Sequence, residues 1–580
     1  MNRGECAMKN RVTAFVMSLL MLFSCCVFSG CEKEAEPAAF SVLYIPLDNR
    51  PINDLQVQLL AKSLNIELIM PDEGIYATTL NGAVNDAGLQ YGDRNAVFEW
   101  LMSHESESDT MVIYLDQLLS GGLMNSRCME DMEPVTLSDG RSFTEYEIID
   151  YLAELAATHK LYLIDSQLRL ATSSDYLDFS LRDYNITRAY GMLERPELSE
   201  DASIDDIVAN YTLSPDGGSA LDAGEFSAED KEYFLGTEEK SPLERYLSIR
   251  ERKLRLNAYA IEKLYNLDNV SYFFGVDDSA SGNNIQSAEY AYLNALAGGN
   301  LEKLSAIDCL GELAVSTLFS DFCGNEPVSV AVRYFGSENS KLNFAGHTVC
   351  GAVEQMLAVC GGEICDDAPE VEILVACEGE TEEETRQAAE ALVEHFIENC
   401  EKHQPSIYVD FGAAVNQELP NSADITMFLS AGLHANGSGA SAIMGISQGL
   451  ARYRALKLDG YLTDSCHEAF LEDMLLMFAK GYYWKSVYKQ EMSDYIAGQG
   501  LNENNLTGAD SFKLCWIEKT LTEKINASSA DIIASANGGS FIASLSPYSE
   551  MAVGKVSIEN CSYPWLRTFE FSAELNAELE

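Results

Sequence analysis

The sequence predicts an α/β fold: a (β/α)-barrel-like or mostly parallel sheet, with a doubly wound open sheet as the alternative, then a second α/β block and a small β-rich C-terminal cap. Three observations predict it. Apolar runs of strand length alternate with helical periodicity, seven of those runs lead straight into an aspartate, and the pattern turns to short antiparallel-type strands only near the C-terminus. The seven are 42–45 before Asp48, 68–70 before Asp72, 111–115 before Asp116, 161–164 before Asp165, 272–276 before Asp277 and Asp278, 305–307 before Asp308, and 406–409 before Asp410. In parallel sheets ligands bind outside the carboxyl ends of the strands, so these carboxylates are expected on one rim.

The helical patterns between the first strands fall at 55–64, 95–102, 146–157 and 243–264. The connection 195–240 is acidic and contains Gly and Ser. At that length it reads as a disordered or surface insertion, or as a lid over the rim. These elements make a first α/β domain of residues 42–322. A second block, 323–500, has strands at 328–332, 371–376, 406–409 and 425–429, followed by one long amphipathic helix over 468–496. Residues 501–580 form the cap, with strands at 541–545, 556–558 and 568–571 and Trp565 as a packing anchor.

Residues 1–30 read as a targeting segment. Lys9 and Arg11 precede an apolar run over 12–28, and Phe28-Ser29-Gly30-Cys31 resembles a bacterial lipoprotein signal. That resemblance implies cleavage before Cys31, acylation of its thiol, a polar tether over 31–41, and an extracytoplasmic protein that meets the membrane through its lipid only. The 91 acidic against 38 basic residues give a net charge of −53, which repels nucleic acid and argues against polyanionic partners. Once Cys6, Cys25 and Cys26 leave with the signal and Cys31 takes lipid, an odd number of irregularly spaced cysteines remains. This is a poor disulfide framework and no zinc site.

Asp48-Asn49-Arg50-Pro51 places a carboxylate beside a guanidinium in a loop stiffened by Pro46 and Pro51. It reads equally as a grip for substrate hydroxyl or carboxylate groups and as a helix cap. Asp116 is followed by Gly121 and Gly122, which permit close approach of a ligand, and by Arg127. Asp277 and Asp278 are adjacent, and repulsion raises one pKa so that one carboxyl serves as acid while the other stays ionised, the division of labour glycosidases need. Asp277, Asp278 and Asp116 are the candidate catalytic residues. Asp48, Asn49, Arg50, Asp72, Gly121, Gly122, Arg127, Asp308, His434 and Asn436 are candidates for binding substrate. No cofactor is expected; Asp277, Ser279, Ser281 and Asn283, with Gly282 sixth, resemble a calcium loop that lacks its twelfth-position Glu, so calcium or magnesium is the ion it would take.

Tyr44-Ile-Pro-Leu-Asp-Asn-Arg-Pro51, Leu115-Asp116 with Gly121-Gly-Leu and Ser126-Arg127, Asp277-Asp278, and Tyr563-Pro-Trp-Leu-Arg-Thr-Phe-Glu570 together resemble the bacterial family catalogued as domain of unknown function 4127, over residues 42 to 571. The resemblance implies export and a shared site, and no reaction. Asn49 stands where that family usually has an acidic residue, and Cys309 replaces the acidic neighbour of Asp308. The residues themselves lead to a surface lipoprotein acting on carbohydrate as a carboxylate-based glycoside hydrolase. The alternatives are a non-catalytic lipoprotein that binds a glycan or peptidoglycan fragment, and a metal-dependent hydrolase.

Overall fold

Six parallel strands form the first sheet: β1 (Phe40–Ile45), β2 (Ile66–Ile69), β3 (Thr110–Tyr114), β4 (Lys160–Gln167), β5 (Val270–Val276) and β6 (Lys303–Leu304), in the order β2-β1-β3-β4-β5-β6. The computed structural model describes residues 38–580 except 175, 200, 237–239, 277, 305–306, 343–347, 413–418, 420–423 and 434–439. The expected signal segment, most of the tether, Cys31, Asp277, His434 and Asn436 therefore lie outside the described residues.

Val42 to Ile45, Met111 to Tyr114 and Leu161 to Ile164 are buried on both faces of the sheet, which is why they read as unbroken apolar runs. From β2 the chain crosses β1 and lays β3 on its far side, Leu43 pairing with Ile69 on one side and Met111 on the other. The first sheet is thus the mostly parallel one expected, in the doubly wound open form and not as a barrel. A barrel needs its first and last strands to pair, whereas here four-residue β2 and two-residue β6 are short edges. The succession of strand and aspartate cannot separate the two, because both architectures gather every carboxyl end on one rim.

Helices return the chain between strands: α1 (Leu55–Ser63), α2 (Leu115–Ser120), α3 (Leu181–Gly191), α4 (Pro242–Leu264) and α5 (Leu310–Phe322). The described residues of the connection 195–240 are folded, contrary to the disordered reading, and most of them are exposed, as a surface insertion would be. The connection holds helices Ile204–Asn210, Ala220–Ala223 and Ala228–Leu235, and buries Tyr211, Leu221 and Phe234. Serines start them: Ser203 accepts a hydrogen bond from the Asp206 N–H, Ser219 from Asp222 and Ser227 from Asp230, and Ser241 starts α4 with a full capping box to Glu244.

The second sheet is also parallel, with β7 (Val328–Phe335), β8 (Gly362–Ile364), β9 (Val371–Ala376), β10 (Ser406–Asp410) and β11 (Phe428–Leu433) in the order β8-β7-β9-β10-β11. After it, α6 (Asp464–Phe478) runs into a π-helical segment, Ala479–Tyr488, and then a further helix, Lys489–Gly498. The single helix expected over 468–496 is therefore widened in its middle. A helix, Ser511–Ala536, precedes the antiparallel cap β12 (Ser540–Leu545), β13 (Tyr548–Ser562) and β14 (Ser572–Leu579). The last strand lies beyond the expected 568–571, because 563–570 turns back to the rim of the first sheet. Val57 and Leu60 of α1, Leu310 and Leu313 of α5, and Leu471 and Met474 of α6 share one core with the second sheet, so α1 and α5 sit between the two.

Candidate functional site

The rim of the first sheet is organised by cations. After β1, Asp48 is fully buried and its carboxylate accepts hydrogen bonds from Arg50 Nε at 2.9 Å, Arg50 Nη2 at 2.7 Å and Asn53 Nδ2 at 3.0 Å. The same Nη2 reaches Asp308 Oδ1, beyond β6, at 2.6 Å. Asp48 thus grips Arg50 and does not cap α1, whose N-cap position is Asp54. Burial disfavours the Arg50 charge, but Asp308 and Asp48 outweigh it and hold the guanidinium well above its ordinary pKa. Burial would raise the Asp308 carboxyl, yet Arg50, helped by Arg127 and Lys485, holds it below the usual aspartate range. Asp308 keeps a side-chain exposure of 38% against 0% for Asp48, so it is the carboxylate of this group that solvent reaches.

Trp565 covers the cluster. Its ring centroid lies 4.8 Å from Arg50 Cζ and its indole N–H donates to Asn49 Oδ1 at 3.0 Å. Asn49 in turn donates to Glu73 Oε1 at 2.9 Å and accepts the Thr78 N–H at 3.2 Å, so this loop is pinned on three sides.

Two further ion-paired groups take up the other aspartates. Lys253 of α4 bridges Asp116 at 2.7 Å and Asp165 at 3.0 Å, all three buried, and Asp165 also accepts from Asn257 and Tyr272. The two carboxylates overcome the effect of burial and raise the Lys253 pKa. Asp278 sits in the left-handed region at φ +43° and accepts from Arg188 Nε and Nη2 at 3.1–3.3 Å and from Tyr184 at 3.4 Å. Among the described residues no hydrogen bond or ion pair joins these groups to the Arg50 cluster. Asp72 is exposed ahead of the short helix Glu73–Tyr76. Gly121 and Gly122 have φ of +76° and +116°, and the space beside them is taken by protein: a Cβ on Gly121 would lie 2.6 Å from Gly92 O, one on Gly122 2.9 Å from Thr78 Oγ1. On the second sheet Asp410 is buried and accepts from Tyr408 and the Gly412 N–H.

Beneath Arg50 lies a charged group that composition and spacing did not single out. Gln56 of α1 donates to Glu312 of α5 at 3.2 Å and accepts from Lys480, which lies 3.2 Å from Glu570. Burial and the neighbouring Asp473 push the Glu312 carboxyl up to about 8. Asp473 is itself raised by burial to about 7, with Lys480 opposing. A cavity of about 20 Å³, room for one water, is lined by Gln56, Glu312, Leu433, Lys480, Gly481 and Lys485 among others. In an α-helix residues five apart point about 140° away from each other. The wider π turn brings Lys480 and Lys485 to one cavity, and π segments recur at functional sites. The signal in the sequence was an acid inside an apolar helical run, alone at Glu312 in Leu310-Gly-Glu-Leu-Ala and one of two at Asp473 in Glu472-Asp-Met-Leu-Leu.

Among the described residues no group of three or more His, Cys, Asp or Glu side chains could hold a metal ion, and no helix is long and apolar enough to cross a membrane. Within the loop read as calcium-like, Asn283 donates its amide to Arg195 O at 2.9 Å. No curated protein and no solved structure matches the chain. The Asp48-Asn49-Arg50-Pro51 loop, Asp116, the glycine pair and Arg127 fall inside the one stretch that a family model matches, shorter than the 42–571 expected and ending before Asp278: residues 42–192 are similar to the family described as Protein of unknown function (DUF4127).

Proposed function

We propose that this protein is an exported bacterial lipoprotein acting on carbohydrate as a carboxylate-based glycoside hydrolase, its reacting groups at Asp308 and Glu312. The observation that carries the reading is the opposed titration of these two. Asp308, just before α5, is held ionised by Arg50, while Glu312, in the first turn of α5, is held protonated at neutral pH by burial and Asp473. Two carboxyl groups with pKa values pushed apart are what glycoside hydrolysis asks of its acid and its ionised partner. Arg50, pinned by Asp48 and Trp565, would orient sugar hydroxyls beside them.

A specific observation favours the second reading, a lipoprotein that binds a glycan without turnover: Asp48, Asp116 and Asp278 are each already engaged by a cation. The test is a screen of residues 40–580 against aryl glycosides, N-acetylhexosaminides included, alongside Asp308→Asn and Glu312→Gln. Turnover that disappears in both variants supports the hydrolase. Saturable binding with no turnover supports the binder, and neither binding nor turnover rejects both. The anchoring is tested separately, since Cys31→Ser should move the full chain from the membrane fraction to the soluble one.

A further inference from the structure

We infer that the sugar taken by this site carries a carboxylate, and that the Lys485 ammonium is the group that anchors it. The inference rests on the carbohydrate reading above and names its substrate class. Among the described residues, Arg50 pairs with Asp48 and Asp308, and Lys480 with Glu570. Arg127 acts electrostatically on Asp308. Lys485 makes no ion pair. Its strongest attraction is to Glu570, which Lys480 already holds.

Lys485 is also placed to meet a ligand. It is partly exposed, lines the cavity with Gln56 and Glu312, and contributes to holding Asp308 ionised. Burial lowers its ammonium pKa, the mark of a charge that has lost water without gaining a counterion. A carboxylate delivered by the substrate would supply that counterion, and a charge-assisted hydrogen bond contributes more than a neutral one. With Asp308 held by Arg50 and Glu570 by Lys480, the Lys485 charge suits a single negative charge. A phosphate, carrying nearly two, would leave one of them unmatched beside Asp308 and Glu570.

The experiment is calorimetric titration of the 40–580 protein with two sugar pairs that differ by a carboxylate. N-acetylmuramic acid and N-acetylglucosamine differ by a lactyl ether, glucuronic acid and glucose by oxidation at C6, and the pair that shows the preference tells lactyl from uronic carboxylate. We expect one acidic sugar to bind at least about tenfold more tightly than its neutral counterpart. Lys485→Gln should bring that ratio to near unity, and Lys485→Arg should keep it. Equal binding of acid and neutral sugars by the unaltered protein, or an acid preference that survives in Lys485→Gln, overturns the inference and leaves the carbohydrate reading standing. Binding of none of the four sugars by the unaltered protein sinks both. Melting temperatures of the two variants show whether each is folded, and the ratio in the unaltered protein decides the substrate class even if neither is.

Discussion

Trp565 and Asn49 are 516 residues apart in the chain and are joined by an indole N–H to amide oxygen hydrogen bond of 3.0 Å. The bond lets the segment after the long β13 strand close the loop after β1, with the Trp565 ring against Arg50. Trp565→Ala removes a ring that is 8% exposed, its cation–π contact and its hydrogen bond, and should cost about 3–5 kcal/mol. Trp565→Phe keeps an aromatic face and should cost about 1 kcal/mol from the lost hydrogen bond. Urea unfolding of both variants measures the difference. Equal losses would mean that ring burial contributes little and that Asn49 alone holds the loop.

Lys253 neutralises two buried carboxylates at once, so deleting its charge leaves both unpaired. Lys253→Met should destabilise by about 3–5 kcal/mol, because Asp116 and Asp165 would be left buried without a counterion. Adding Asp116→Asn and Asp165→Asn to that variant should recover most of the loss. If the triple variant is no more stable than Lys253→Met, the cost lies in packing and not in charge.

Asp308 and Asp278 separate by the partners they hold. Asp308 is the partly exposed member of the Arg50 cluster, so Asp308→Asn should lower turnover by at least about 100-fold. Asp278 is tied to Arg188 and Tyr184, and Asp278→Asn should change turnover less than about tenfold while lowering stability by about 1 kcal/mol or more. Kinetics and thermal melting on the same preparations decide it. The reverse ranking would move the reaction to Asp278 and its neighbour Asp277.

What could be read from the chain in advance was the local grammar. The apolar runs at 111–115 and 161–164 became central strands because burial on both faces demands unbroken apolar sequence; Asp116 follows its strand as expected, whereas Asp165 lies inside β4, which runs on to Gln167. The order of strand pairing was not legible: nothing in 66–69 says on which side of β1 it pairs, and that decides open sheet against barrel. In 195–240 the Ser203 and Asp206 pair and the Ser227 and Asp230 pair were helix starts in plain view, and the acidic composition around them suggested an insertion. The Trp565 contact with Asn49 and the meeting of Lys480 with Gln56 across 424 residues depend on how the sheets pack together, which no local pattern encodes. Nor does a sequence period announce a π turn, so the placing of Lys485 emerges only in three dimensions.

The raised Glu312 and Asp473 pair fixes a sign for stability against pH. Burial, the larger cause for both, pushes Glu312 to about 8 and Asp473 to about 7, whereas in the unfolded chain each ionises near its ordinary value. Between about pH 4.5 and 8 the native state therefore binds more protons than the unfolded state, and stability from these groups falls as pH rises through that window. Below it both states are protonated and the term is constant; above it both are ionised and the loss is complete. Glu312→Gln carries a neutral side chain at every pH and should lose less, so the variant should gain on the unaltered protein by at least about 1.4 kcal/mol between pH 5 and pH 9. Denaturant unfolding at those two pH values, read as the difference between the two proteins, cancels the titration of every group that does not interact with Glu312. A constant difference across the window would show that Glu312 is ionised in the folded protein at neutral pH, and would remove the protonated carboxyl from the proposed hydrolase.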